Sequence, residues 1–337
     1  MPALRIALAG AGWVSRFHLS GWRRTAGAEV VAVCDPDPKR AGALAQEFGI
    51  DKVFSDAATM LDLVRPDALD VAASLSAHQA LCLLAADRGV HILCQKPLAA
   101  SHAQARALVA AVGVRARLMV HENWRFRPQY RRMRAWLDAG HIGAPLACQV
   151  RLRASGLWPN ASGVSAQVQR QRFFATEPRL LVGEVLLHHL DVVRWFLGDL
   201  SVLAARSARI SPCVQGEDVA SIMLAGGRRW ASIDGNMVSP GAPSKAQDMF
   251  ELMGSGGVAA YDGEVLRLRS TSAGDEDDVI DPQQAYADSY AGAIGHFAQA
   301  LVADTPFESD PGDHLKVLAQ VEAIYDTFAA GDPSHAR

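Results

Sequence analysis

Through the first 122 residues, short apolar runs of strand character alternate with stretches of helical length. The runs fall at 4–9, 29–34, 52–54, 69–73, 90–94 and 116–120, and the helical stretches at 13–25, 38–47, 56–63, 77–87 and 101–112. Neighbouring parallel strands need a crossover between them, and a helix is what usually fills it. The spacing therefore predicts βαβ units and a doubly wound parallel sheet. Gly89 and Gly113 stand where two of these helices would end in a left-handed residue.

Arg127-Pro128 opens a different pattern. A helix is expected at 129–139, stopped by Gly140. Strand-like runs follow at 146–154, 202–209, 218–224, 230–238, 248–253, 257–261 and 264–269, interrupted by one helix at 182–197. Consecutive strands joined by turns such as Ala225-Gly226-Gly227 predict a large, mostly antiparallel, open sheet. Residues 284–303 and 312–330 read as helices. The segment 155–177 is rich in Gln, Ser and Gly and has weak periodicity, as expected of a long functional loop. Gly274-Asp275-Glu276-Asp277-Asp278 reads as an exposed acidic loop. At 337 residues the chain is long enough for two cores. The division expected is 1–122 for an α/β domain and 123–337 for an α+β domain, with the C-terminal helices packing back on the first.

A formal net charge of -3 offers no global basic field for nucleic acid. Arg125, Arg127, Arg131, Arg132 and Arg134 form a local basic cluster, read mainly as a solvated helix face with one member, Arg125, near a cofactor phosphate. The five cysteines (Cys34, Cys82, Cys94, Cys148 and Cys213) include no CxxC pair, which predicts free thiols in a reducing compartment. Cys34 and Cys94 lie in strand-like runs and read as buried apolar residues. No apolar run approaches the roughly 20 residues of a membrane span. Residues 4–9 begin the first strand with no signal-peptide pattern before them, so a cytoplasmic location is expected.

Gly10-Ala11-Gly12-Trp13-Val14-Ser15 follows the first strand and opens the first helix. Glycines here permit a tight turn and a close approach of backbone to a pyrophosphate, and the helix N-terminus supplies unpaired N–H groups. Ser15 stands where a third glycine is usual. The second strand, Val30-Val31-Ala32-Val33-Cys34-Asp35, ends in an acid at the distance a ribose-binding carboxylate requires. This is the fingerprint of a Rossmann dinucleotide-binding domain. Asp35 would accept from ribose hydroxyls and repel a 2′-phosphate, so NAD is expected, with Lys39 and Arg40 leaving NADP as the alternative. Asp35 would otherwise simply cap the turn into Pro36-Asp37-Pro38. Ser74, Ser76 and His78 follow the fourth strand, on the edge where ligands bind. His78 also suits a local cap.

Lys96 follows the fifth strand on the same edge, and Pro97 restricts it to an extended conformation. Its ammonium is placed to stabilise a developing alkoxide. Further on, Glu184, His188 and Asp191 fall at i, i+4 and i+7 of the 182–197 helix and so share one face. Carboxylates one and two turns from an imidazole orient it and set its charge. No cysteine or third histidine lies at ligand spacing, so no metal is expected.

On Gly10-x-Gly12 with Asp35, Lys96-Pro97-Leu98, Asn123-Trp124-Arg125-Phe126 and Glu184-x-x-x-His188-x-x-Asp191, the chain resembles the glucose–fructose oxidoreductase, inositol dehydrogenase and MocA (Gfo/Idh/MocA) family over nearly its whole length. The resemblance implies a Rossmann domain followed by an α/β domain whose open sheet forms a homodimer or homotetramer. It also implies NAD(P)-dependent oxidation or reduction of a sugar or polyol, with Lys96 and His188 catalytic. Three positions depart from the family. Gln95 replaces the acid of Glu-Lys-Pro and cannot lend Lys96 a negative charge; Glu184 stands where Asp is frequent; Leu75 stands where Pro is common.

The expected mechanism is hydride transfer between a sugar or polyol carbon and the nicotinamide. His188 acts as general base, Lys96 polarises the oxygen, and Glu184 orients His188. Gly10, Gly12, Trp13, Val14, Asp35, Ser74, His78, Gln95, Lys96 and Arg125 are the expected cofactor contacts. Asn123, Trp124, Trp158 and His189 are the expected substrate contacts. Two rivals use the same residues differently. One is a non-redox family enzyme that employs NAD transiently for elimination or glycoside cleavage. The other is a catalytically silent NAD-binding sensor. The stretch 120–128 resembles that of catabolic pentose or branched-sugar dehydrogenases.

Overall fold

The structure, a computed structural model, describes residues 3–331. The chain separates into two compact units, Met1–Arg127 with Tyr286–Lys316, and Pro128–Ala285 with Val317–Arg337.

The first unit alternates β1 (Leu4–Ala9), α1 (Ser15–Arg23), β2 (Ala28–Cys34), α2 (Pro38–Phe48), β3 (Val53–Phe54), α3 (Ala57–Val64), β4 (Ala68–Val71), α4 (Leu75–Ala86), β5 (His91–Gln95), α5 (His102–Val112) and β6 (Leu118–His121). The helices start where their caps dictate. Asp37 accepts from the Lys39 and Arg40 amides, with Pro38 at the first helical position, and Ser101 accepts from Gln104 N. Leu75 is the first residue of α4, the position at which proline is favoured but not required. Gly89 (φ 67°) and Gly113 (φ 53°) both take positive φ. All strand pairs are parallel, in the order β3-β2-β1-β4-β5-β6, so the order reverses between β1 and β4. Such a reversal opens a crevice at the carboxyl ends of the strands. One face of the sheet packs Ile6, Ala68, Leu93 and Met119 against Trp22, Ile294 and Phe297. The other packs Leu8 and Val33 against Leu19, Ala41 and Leu44.

The second unit runs α6 (Pro128–Asp138), β7 (Pro145–Arg153), α7 (Ala166–Arg170), a π-helical turn (Leu181–Leu186), α8 (Leu187–Leu197), β8 (Ser201–Ala208), β9 (Val219–Gly226), β10 (Arg229–Asn236), β11 (Gln247–Gly254), β12 (Gly257–Tyr261), β13 (Val265–Ser270) and β14 (Glu276–Val279). The last helices are α9 (Pro282–Ala303) and α10 (Pro311–Gly331). The eight strands are ordered β14-β13-β12-β11-β7-β10-β9-β8. Every pair is antiparallel except β7 with β10. Val150, Leu152, Ile233 and Phe250 face inward, and Tyr130 and Phe196 close on Phe250 at ring distances of 5.1 and 5.6 Å.

Several sequence expectations change here. The acidic loop at 274–278 is in part an edge strand, because Arg132 and Arg269 offset its charges by pairing with Glu276 (2.7 Å) and Asp277 (2.5 Å). Charged residues are what keeps such an edge from pairing further. The long loop at 155–177 contains α7, capped by Ser165, and a 3-10 turn at Arg172–Ala175. The basic cluster is not a solvated face. Arg125 is buried, Arg127 lies over the Trp124 ring, Arg131 and Arg134 lie over the Trp195 ring, and only Arg132 is largely exposed. Guanidinium groups stack on indoles because charge and apolar stem are both accommodated there.

Candidate active site

The turn after β1 is built from two different kinds of glycine. Gly10 has φ 107°, and a Cβ on it would lie 2.3 Å from Ala72 O, so side chains are excluded by both conformation and space. A Cβ on Gly12 would meet nothing within 4 Å. Packing does not require that glycine, which leaves the turn open on that side. Ser15, in place of the third glycine, is fully buried and donates from Oγ to Gly10 O at 2.9 Å. It therefore ties the helix start to the turn. Asp35 is buried at the end of β2. Its Oδ2 accepts from Ala11 N at 2.8 Å, and its Oδ1 accepts from Asp37 N at 2.9 Å and Arg40 Nη2 at 2.7 Å. Asp35 thus does cap the following turn, and it also binds the glycine turn. Trp13 is half exposed. Ser74 precedes α4 without capping it, and its Oγ lies 3.2 Å from Ser76 Oγ. His78 is buried, with ring nitrogens 3.0 Å from Pro97 O and 3.2 Å from Ala73 O.

Lys96 leaves β5 half-buried, and its peptide bond to Pro97 is cis. Lys96 N donates to Gln95 Oε1 at 2.8 Å. The Gln95 amide nitrogen lies 3.0 Å from His18 Nε2 and 3.4 Å from His121 Nδ1. His18 Nδ1 lies 2.9 Å from both oxygens of Asp70, which also accepts from Trp22 Nε1 at 2.7 Å. Since Lys96 N–H fixes the amide oxygen, the amide N–H is directed at His18, and His18 Nε2 must accept it. The His18 proton then sits on Nδ1, toward Asp70. Glu122 follows β6. It is 1% exposed, and its Oε1 accepts from Trp124 N at 3.1 Å. Burial pushes its carboxyl up, while the Trp124 N–H and the charges of Lys96, His314 and Arg125 pull the other way. Asn123 is buried and donates to Ser289 Oγ at 2.6 Å. Arg125 donates to Glu308 O at 3.0 Å and is ion-paired with Asp313, so its guanidinium is held by the protein.

In the second unit, the helix expected at 182–197 starts with the π turn that contains Glu184. The turn is wider than an α-helix and leads directly into α8, so the regular helix expected from residue 182 begins only at Leu187. His188 and Asp191 remain at i, i+3 of regular α8 and are both buried. Glu184 is half-buried. Single π turns of this kind occur frequently at functional sites. Glu217 braces the turn. Its main-chain O accepts from Leu181 N at 3.2 Å, and its Oε1 accepts from Val182 N at 3.0 Å and Tyr325 OH at 2.5 Å. His189 is fully buried, with Nε2 3.1 Å from Asp248 Oδ1 on β11. Trp158 is half exposed.

Residues 4–122 match the family described as "Oxidoreductase family, NAD-binding Rossmann fold", and residues 130–260 match its GFO/IDH/MocA C-terminal domain. A D-apiose dehydrogenase of Rhizobium rhizogenes is 30% identical over 98% of this chain and 97% of its own. The chain belongs to the Gfo/Idh/MocA oxidoreductase family. A D-apiose dehydrogenase of Paraburkholderia graminis is 41% identical over 65% of this chain, a match that spans 56% of that relative's length. Among solved structures, an oxidoreductase from Agrobacterium radiobacter in complex with NAD+, L-tartaric acid and magnesium superposes with a TM-score of 0.89, at 28% identity and covering 98% of this chain and 97% of that one. The open side of Gly12 and the buried Asp35 carboxylate fit the NAD that the family binds.

Four buried residues linked by hydrogen bonds to expected site residues or to their partners escaped the sequence reading. Asp70 had a usable signal, because a lone acid inside the buried run Ala68-Leu69-Asp70-Val71 requires a partner. Glu122 had one as well, since it follows β6 just as Lys96 follows β5. His18 and Asp248 had none, because their partners lie 52 and 59 residues away.

Proposed function

We propose that the protein is an NAD-dependent dehydrogenase of a small sugar or polyol hydroxyl, with a branched pentose of the D-apiose type as the first substrate to test. The observation that carries the reading is the full-length similarity to a D-apiose dehydrogenase. The chemistry of the strand ends supports it: an open glycine turn beside a buried Asp35, and Lys96 on the same carboxyl edge.

NAD, when bound, supplies the hydride acceptor at its nicotinamide ring. The chain's own residues do the rest. The Gly10–Ser15 turn and the start of α1 take the pyrophosphate, and Asp35 accepts from the ribose. Lys96 stabilises negative charge on the reacting oxygen. His188 takes the hydroxyl proton during oxidation and returns it in reduction. Glu184 orients His188 and binds a neighbouring hydroxyl. Asn123, Trp124 and Trp158 contact the substrate. His189, expected to contact the substrate, is fully buried on α8 against Asp248 and instead ties that helix to β11.

The proposal extends to a cytoplasmic homo-oligomer. Five free thiols support a reducing compartment. Met223 and Trp230 stand exposed on the outer face of the eight-stranded sheet, which supports a second copy there. Among the described residues no helix is long and apolar enough to cross a membrane.

A panel of aldoses including D-apiose, polyols including myo-inositol, and sugar acids, each with NAD and NADP, tests the reading through the absorbance of reduced nicotinamide. NADH accumulation with at least one sugar or polyol, and faster reaction with NAD than NADP, is expected. Substrate conversion without NADH accumulation would favour the transient use of NAD. No turnover across the panel, with NADH still bound, would favour a sensor.

A further inference from the structure

The β5 ladder ends at Cys94 on the β4 side and at Gln95 on the β6 side. The next residues, Lys96-Pro97-Leu98, turn away at the carboxyl edge, and Pro97 and Leu98 are buried there. Buried backbone groups beyond a ladder still need partners. Side chains supply them. Gln95 Oε1 accepts from Lys96 N at 2.8 Å, His78 Nδ1 lies 3.0 Å from Pro97 O, and His314 Nε2 accepts from Leu98 N at 3.2 Å. The two histidines come from different helices, α4 and α10. They are 2% and 3% exposed, so solvent cannot stand in for either.

Their roles are opposite and are fixed by what they meet. A carbonyl oxygen only accepts, so His78 Nδ1 carries a proton and donates to Pro97 O. A backbone N–H only donates, so His314 Nε2 carries none and accepts from Leu98 N. His78 reaches further, because its Nε2 lies 3.2 Å from Ala73 O, just beyond the end of β4. Ala72 and Ala73 are the residues that leave no room for a Cβ on Gly10. His78 therefore stands between the backbone under the glycine turn and the backbone that carries Lys96.

We propose that His78 and His314 are positioning residues of the reaction: they clamp the Lys96-Pro97-Leu98 turn as donor and acceptor and so fix the direction in which Lys96 leaves β5. Each acts through the backbone of the turn. The meaning for catalysis rests on the reading of Lys96 given above, whereas the clamp itself does not.

Two amide side chains separate a hydrogen bond from packing in the test. Asn places its amide near the Nδ1 position of a histidine, and Gln places it near Nε2. His78→Asn therefore keeps a donor for Pro97 O, while His78→Gln keeps only the contact with Ala73 O. At position 314 the order reverses: His314→Gln keeps an acceptor for Leu98 N, and His314→Asn loses it. The first readout needs no substrate. Exchange of the Leu98 amide hydrogen, followed by NMR, should run about fivefold or more faster in His314→Asn than in His314→Gln, as loss of one hydrogen bond implies. The second readout is kinetic. With the best sugar of the panel, kcat should fall roughly 10- to 100-fold in His78→Gln and His314→Asn, as a small misplacement of a reacting group does. NADH affinity should stay native in both, and His78→Asn and His314→Gln should recover most of the lost kcat. Packing alone would rank the two amides alike. Equal Leu98 exchange in the two position-314 variants, or equal kcat for Asn and Gln at both positions, would overturn the proposal. Should the variants at one position fail to fold, the pair at the other decides. Normal turnover of Lys96→Ala would sink the reading of Lys96 instead. Loss of turnover in Lys96→Ala beside normal kcat in His78→Gln and His314→Asn would sink the positioning role alone.

Discussion

Arg40 Nη2 lies 2.7 Å from Asp35 Oδ1, while the other oxygen of the same carboxylate holds the Ala11 amide of the glycine turn at 2.8 Å. One side chain thus ties the ribose end of a dinucleotide site to its phosphate end. Asp35 also neutralises the nearest guanidinium. Asp35→Ser removes the carboxylate and releases Arg40 to meet a 2′-phosphate. Hydrogen bonds to a charged group contribute about 1.5–3 kcal/mol, or roughly 10- to 100-fold. The kcat/KM with NAD is expected to fall by about that factor while activity with NADP rises. Initial rates with both cofactors check it, and an unchanged NAD to NADP ratio would remove Asp35 from cofactor selection.

The two glycines of the turn separate folding from binding. Gly10→Ala drives a Cβ to 2.3 Å from Ala72 O at a φ of 107°, and a soluble folded protein is not expected. Gly12→Ala adds a methyl group into open space. The melting temperature without cofactor should stay within about 2 °C of native, since a surface change without a packing conflict is worth about 0.5 kcal/mol or less. NADH affinity, measured by fluorescence quenching, should fall at least tenfold. Equal losses of stability and affinity would show that Gly12 is structural.

The first sheet was legible because its signals are local. Each strand is a short apolar run, each helix brings its own cap, and the spacing between them admits only parallel crossovers. Gly10, Gly12 and Asp35 were legible for the same reason. What escaped depends on partners distant in sequence. Glu276 and Asp277 look like loop residues until Arg132 and Arg269 are seen beside them. His18 looks like one more residue of α1 until Asp70 is found behind it. The π turn at Leu181–Leu186 has no sequence period of its own. It is stabilised by Glu217, more than 30 residues away, so a regular helix through Glu184 was the natural and mistaken expectation.

Lys96→Ala and His188→Ala test the two reacting groups separately. A positioned acid or base contributes about 10²- to 10⁴-fold, so kcat for the best sugar substrate should fall by at least about two orders of magnitude in each. Both should keep a native circular dichroism spectrum and bind NADH. Near-normal turnover in both would end the assignment of the site to these residues.

Glu217 links the π turn to pH. Burial pushes its carboxyl above its ordinary value of 4.5, against hydrogen bonds from Tyr325 and Val182 that pull it down. A carboxyl whose value is raised on folding binds its proton more tightly in the native state. Its contribution is therefore fully present below the unfolded value and is lost as pH rises through the folded one. Glu217→Gln keeps an oxygen for Val182 N and Tyr325 OH but has no proton to lose. Relative to native, the variant should gain stability as pH rises from 4.5 through the folded value of Glu217, and no further above it. Urea midpoints of both proteins at pH 5 and pH 7.5 measure this. A variant-minus-native difference that is the same at both pH values would show that Glu217 titrates alike in the folded and unfolded chain, and would free the π turn from any dependence on its charge.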